Sequence, residues 1–149
     1  MNIQTKYFGE VEVKQEDVVY FPNGLPGFER EMEFVILPVD ESGVYQSLQS
    51  IQSAEMSLIV ANPYVFFTNY EFTLEDQTLD LLGIESPEEV SVLSVLTLRE
   101  PFQETTANLQ APIIVNTRTG MAKQLILTNT SYKTRHLIAE GGDRDAHTE

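Results

Sequence analysis

Two β-forming runs, Ile113 to Asn116 and Met121 to Thr128, are separated by only four residues, Thr117-Arg118-Thr119-Gly120. That spacing leaves the pair little to form but an antiparallel hairpin. Gly120 sits where a left-handed residue closes a four-residue loop, a conformation open to glycine because it lacks Cβ. Pro112 stands just before the first run, a position that asks for no ladder N–H.

The rest of the chain repeats the theme of short strands and abrupt turns. Ile3 to Tyr7 and Glu10 to Lys14 read as strands around Gly9, the second alternating strictly between apolar and charged residues. Val18 to Phe21 is a third run, stopped by Pro22-Asn23-Gly24-Leu25-Pro26-Gly27-Phe28, whose two prolines and two glycines force turns. Phe34 to Leu37, Val44 to Ile51, Ser57 to Ala61 and Val65 to Phe67 are further expected strands. Val90 to Leu98 is apolar on both faces, so it is expected to lie centrally in a sheet. Tyr132 to Ile138 reads as a last short element.

One helix is predicted, over Leu74 to Leu82. Thr73 and Asp76 make a capping-box pattern and Gly83 stands at the stop position. Leu74, Thr78, Leu81 and Leu82 are expected on its inner face, leaving Glu75, Asp76 and Asp80, with Glu71 just upstream, as an acidic ridge. Ser86-Pro87-Glu88-Glu89 repeats the start signal ahead of a strand, so a single helical turn is expected there. The pattern as a whole predicts a mainly β fold, a small antiparallel β-barrel-like or sandwich domain with one or two short helices. Residues 1–139 form one expected domain and 140–149 an acidic, disordered tail.

Charge is distributed unevenly. Of the 23 Asp and Glu, 18 lie in residues 1–100, against four Lys and Arg, whereas residues 101–149 carry five of each sign. An acidic surface repels phosphate backbones, which argues against direct nucleic-acid binding and favours a basic protein partner, although acidity also serves solubility alone. No apolar run reaches the length of a membrane span and the first residues lack the order of a signal peptide, so a cytoplasmic protein is expected. The absence of cysteine excludes disulfides, thiolate metal sites and a cysteine nucleophile.

Catalytic constellations are missing. The two histidines, His136 and His147, lie near the C-terminal end, which leaves no ordered setting for a serine triad or a histidine metal site. Gly24-Leu25-Pro26-Gly27 lacks the spacing and following helix of a phosphate loop. No catalytic, cofactor-binding or metal-binding residue is assigned, and no cofactor is expected. Two rival readings stay open: a β-barrel carrier of a small apolar ligand, and an enzyme working with carboxylates alone, which needs two buried acids of mutually perturbed titration.

Binding is the stronger lead. Twelve of the 14 Phe and Tyr fall within residues 1–100, the portion that carries the net negative charge of the chain. Aromatic anchors among acids suit a partner with basic and apolar groups. Phe21, Leu25 and Phe28, spaced by Pro and Gly, form either a shaped patch or a plug closing one barrel end.

Two stretches carry a family likeness: F-P-N-G-L-P-G-F-E at Phe21 to Glu29, and N-L-Q-A-P-I-I-V-N at Asn108 to Asn116, followed by A-K-Q at Ala122 to Gln124. In this order and chain length they resemble the flagellar assembly factor family, FliW, over nearly everything up to Ile138. The resemblance implies a small β-barrel-type protein, monomeric when free, that binds flagellin and the RNA-binding translational repressor CsrA. Free factor would relieve CsrA repression of flagellin mRNA, and accumulated flagellin would reverse this. On that reading Glu71, Glu75, Asp76 and Asp80 are candidates for CsrA docking, and Leu25, Phe28, Asn108 and Asn116 for part of a partner surface. The alternative for the last four is that they fix turns and strand ends.

Overall fold

A computed structural model describes residues 1–139 of the chain; the tail expected from Glu140 onward lies outside them. The described residues contain eleven strands, all paired antiparallel within two sheets. The first sheet is a hairpin of β1 (Asn2–Thr5) and β2 (Gly9–Glu12). The main sheet begins with β3 (Val18–Tyr20), β4 (Glu33–Pro38), β5 (Tyr45–Ser50) and β6 (Ser57–Ala61), laid side by side in chain order. Helix α1 (Asp76–Leu82) follows, then β7 (Val90–Thr97), β8 (Thr106–Ala107), β9 (Ile113–Asn116), β10 (Ala122–Gln124) and β11 (His136–Leu137).

The order across the main sheet is β10-β9-β7-β6-β5-β4-β3, with β8 and β11 branching from β7. β7 is central, as its two apolar faces predict. It pairs with β6 through Ser94 and Val95, with β9 through Val90 to Leu93, and with β8 through Leu96 and Thr97. The sheet curls until its two ends nearly meet. A single parallel bridge joins Tyr20 to Met121, with the Tyr20 N–H donating to the Gly120 carbonyl at 2.8 Å, so the barrel is almost but not fully closed.

Its interior is filled by the chain's own side chains. Phe21, Phe34, Leu48, Val60 and Ile113 are fully buried in one cluster, and Phe21 meets Phe34 edge to face with ring centroids 5.3 Å apart. Leu93 and Val95 of β7 pack into this cluster, while Val92 and Leu96 face a second one around Tyr70, Leu109 and Ile138. The hairpin β1-β2 covers Val35 from outside through Ile3 and Val13. Among the described residues, these side chains fill the space that a carrier would keep open for its ligand.

The 117–120 loop forms as its residues dictate, with Gly120 at φ +79° and its N–H bonded to the Asn116 carbonyl at 2.7 Å. Four expectations need correction. Val65 to Phe67 is not a strand: the Asn62 side chain caps the Tyr64 N–H and Pro63 starts a 3-10 turn over Pro63–Val65, which turns Phe66 and Phe67 into the second cluster. α1 starts at Asp76 with Glu75 at the cap, so Thr73 plays no capping part. Leu81 points outward, and Leu79 takes the half-buried place beside Thr78 and Leu82.

The second arm of the hairpin is regular only over Ala122–Gln124. The N–H groups of Leu125 and Leu127 still reach Pro112 and Gln110 carbonyls, both at 2.8 Å, but the return bonds are missing. Pro112 has no N–H, and those of Gln110 and Ala111 donate to the Asn108 carboxamide at 3.1 and 3.0 Å.

Candidate protein-docking surfaces

The acidic segment is held in place by aromatic side chains. The Tyr70 hydroxyl donates to the Leu109 carbonyl at 2.6 Å, and the Glu71 N–H donates to the Tyr132 hydroxyl at 3.1 Å. The two rings meet edge to face with centroids 4.7 Å apart. Burial pushes the Tyr70 phenol well above its ordinary range, and the nearby Tyr64 and Tyr132 hydroxyls add to the effect. At the far end, α1 stops at Gly83 with the Ile84 N–H closing on the Leu79 carbonyl at 2.9 Å.

The 116–119 loop then binds that helix end. Asn116 donates from its carboxamide to the Leu82 carbonyl at 2.8 Å and accepts from the Arg118 and Thr119 N–H groups at 2.9 and 3.3 Å. The Arg118 guanidinium reaches the Gly83 carbonyl at 2.7 Å and pairs with Glu89 at 3.0 Å, placing a cation at a helix C-terminus, where the backbone dipole favours one.

Between these anchors Glu71, Glu75, Asp76 and Asp80 are all exposed. The structure divides them into two pairs. Glu71 and Glu75 line a hollow of about 440 Å³ between residues 71–78 and 123–130, shared with Lys123 and Ile126. Asp76 and Asp80, one helical turn apart, lie on α1 and do not line that hollow. A neighbouring groove of about 450 Å³ is apolar, lined by Leu74, Leu79, Ile84, Val90, Val92 and Ile114 among others.

The other four candidates do not form one patch. Leu25 is buried in the barrel core, and Asn116 is buried as the tie just described. Neither offers its side chain to a partner; each holds a turn. Asn108 is partly buried and shapes the backbone ahead of Pro112. Phe28 alone presents a large apolar surface, 52% exposed at the tip of a loop pinned by Leu25 and Phe28 N–H bonds to each other's carbonyls. Arg118, Tyr70, Tyr132 and Ile126 escaped the sequence reading. The Asn-Thr-Arg-Thr-Gly string carries a signal for Asn116 as a turn former, but nothing local links it to Leu82, which lies 34 positions away.

Among the described residues no Asp or Glu is buried and no group of His, Asp and Glu is placed to hold a metal ion. The carboxylate-only reading therefore lacks the buried pair it requires. No helix among them is long and apolar enough to cross a membrane.

These features define a small, curled antiparallel β domain with exposed acidic residues on and just before its one α-helix among the described residues. The FliW protein family model matches residues 2–138, and the chain belongs to that family. It is 50% identical over 141 residues to the flagellar assembly factor FliW of Bacillus velezensis, covering 95% of this chain and 99% of the relative. To that of Bacillus subtilis it is 47% identical over 143 residues, covering 96% and 99%. The structure superposes on a crystal structure of the flagellar assembly factor FliW with a TM-score of 0.88 at 40% identity, covering 93% of this chain and 96% of that one.

Proposed function

We propose that this protein is a cytoplasmic flagellar assembly factor that acts by binding rather than by catalysis. Its partners are flagellin and the basic translational repressor CsrA, and it is monomeric when free. Held by the factor, CsrA no longer represses flagellin mRNA; flagellin in excess occupies the factor and releases CsrA. The observation that carries the reading is the family match, which runs through both motifs and the acidic segment between them. Exposed acids at Glu71, Glu75, Asp76 and Asp80 support the electrostatic part, since a basic partner is steered towards such a surface. Phe28 is the apolar anchor that remains from the loop candidates, and Asn108 belongs to the proposal only as a shaper of backbone.

Calorimetric titration with CsrA at two salt concentrations, followed by flagellin as competitor, tests it. Binding that weakens with salt and is displaced by flagellin is the expected result. Replacing Glu75 and Asp76 by Lys weakens CsrA binding on the order of tenfold and flattens the salt dependence. Unchanged affinity in that double variant would move the CsrA contact elsewhere, and no heat with either protein would remove the partner-switch reading.

A further inference from the structure

The segment that follows the 117–120 loop has one edge paired and one edge open. Leu125 and Leu127 direct their N–H groups to residues 112 and 110, so by strand alternation the N–H and C=O groups of Gln124, Ile126 and Thr128 face the other way. On that outer side β3 reaches only as far as Met121, through the bridge at Tyr20. Among the described residues no backbone or side-chain group accepts from the Ile126 or Thr128 N–H. Ile126 is 63% exposed, and the segment borders the hollow that Glu71 and Glu75 line.

We propose that this outer edge, Gln124 to Thr128, is a docking site for an extended peptide segment that alternates basic and apolar side chains and pairs with it as an added strand. A row of open backbone groups recognises only backbone in the same extended state, which selects a strand over a helix. From Gln124 to Thr128 the edge runs about 13 Å, long enough to pair with about five residues. Ile126 offers apolar contact, and Glu71 and Glu75 sit where basic side chains of the incoming strand are drawn. The same carboxylates disfavour a second copy of this chain: edge-to-edge pairing would bring two such acidic rims together on molecules of formal charge -14. The assignment does not depend on which protein supplies the segment, so it stands or falls separately from the partner switch.

A fluorescein-labelled heptapeptide of alternating Lys and Val, titrated with the full chain by fluorescence anisotropy, is the probe. It binds, and more weakly as salt rises. Backbone N-methylation on one set of alternate peptide residues abolishes binding while the other set is tolerated, because only one set points its N–H at the protein. Ile126→Pro removes an outward N–H without touching the ladder to residues 110–112, and weakens binding about tenfold while the thermal midpoint reports the fold intact. Glu71→Gln with Glu75→Gln weakens it several-fold at low salt, roughly as expected for two rim charges.

No binding, or equal loss from both methylation patterns, would overturn the proposal, as peptide adsorbed by charge alone has no such alternation. Sedimentation showing a dimer of this chain that Ile126→Pro dissociates would also overturn it, by giving the edge to a second copy.

Discussion

The carboxamide of Asn116 donates to the carbonyl of Leu82, and this 2.8 Å bond fastens the end of one strand to the end of the only helix that carries the acidic residues Asp76 and Asp80 among those described. The bond thus ties the sheet to the element that carries two of the four acidic candidates.

Asn116→Ala removes that bond and leaves the Arg118 and Thr119 N–H groups without their acceptor. The site is fully buried, so the loss is expected at about 2–4 kcal/mol in urea unfolding. Asn116→Asp keeps the acceptor but sets a carboxylate against the Leu82 carbonyl, and is expected to recover only part of the loss.

Gly24 has φ +65°, and a Cβ there would overlap the Glu29 backbone. Gly24→Ala thus combines a strained conformation with a clash that no side-chain rotation relieves. A destabilisation of roughly 2 kcal/mol or more is expected, with the Leu25–Phe28 loop displaced. Protease susceptibility of that loop and the thermal midpoint check it.

Tyr70 predicts behaviour in alkali. Burial raises its phenol above the ordinary value of 10.0, so the folded state holds the proton more tightly than the unfolded state. The resulting stability is fully present below about pH 10 and is lost as pH rises above it. Tyr70→Phe removes this alkaline slope while leaving the Leu109 carbonyl unpaired, at a cost of about 1–3 kcal/mol near neutrality. Unfolding free energies between neutral pH and alkali separate the two effects.

Glu89 predicts the opposite flank. Its carboxylate accepts from the Glu85 N–H at 3.0 Å and pairs with Arg118, and the first of these, followed by the second, holds its pKa below the ordinary 4.5. A depressed carboxylate contributes stability above its unfolded value that disappears as pH falls through the folded one. Acid unfolding of Glu89→Gln is therefore expected to be shallower below about pH 4.5 than that of the parent.

What the sequence disclosed, and what it hid, follows the range of the interactions. β6, β7 and β9 were legible because an apolar β-branched run bounded by Pro, Asn or Gly is a local signal, and Gly120 fixed the loop for the same reason. The start of α1 was not. Thr73 and Asp76 have the right spacing, but the segment ahead of the helix is anchored by Tyr70 on Leu109 and by Glu71 on Tyr132, partners 39 and 61 positions away, and Glu75 is extended. Val65 to Phe67 looked strand-like by composition, yet Asn62 and Pro63 begin a turn that outweighs it. The acidic surface was readable as charge, whereas the open edge beside it was not: which side of Gln124–Thr128 lacks a partner depends on where β3 ends.

The central position of β7 also sets an order of events during synthesis. Two of its three neighbours, β8 and β9, lie after it in the chain, and the bridge that draws the barrel together needs Met121. A nascent chain that has released only its first hundred residues has produced 18 of its 23 acids and 12 of its 14 Phe and Tyr but cannot finish its sheet. Completion waits for the last third to leave the ribosome, and until then the flank of β7 that will receive β8 and β9 is uncovered, a surface for a chaperone to shield.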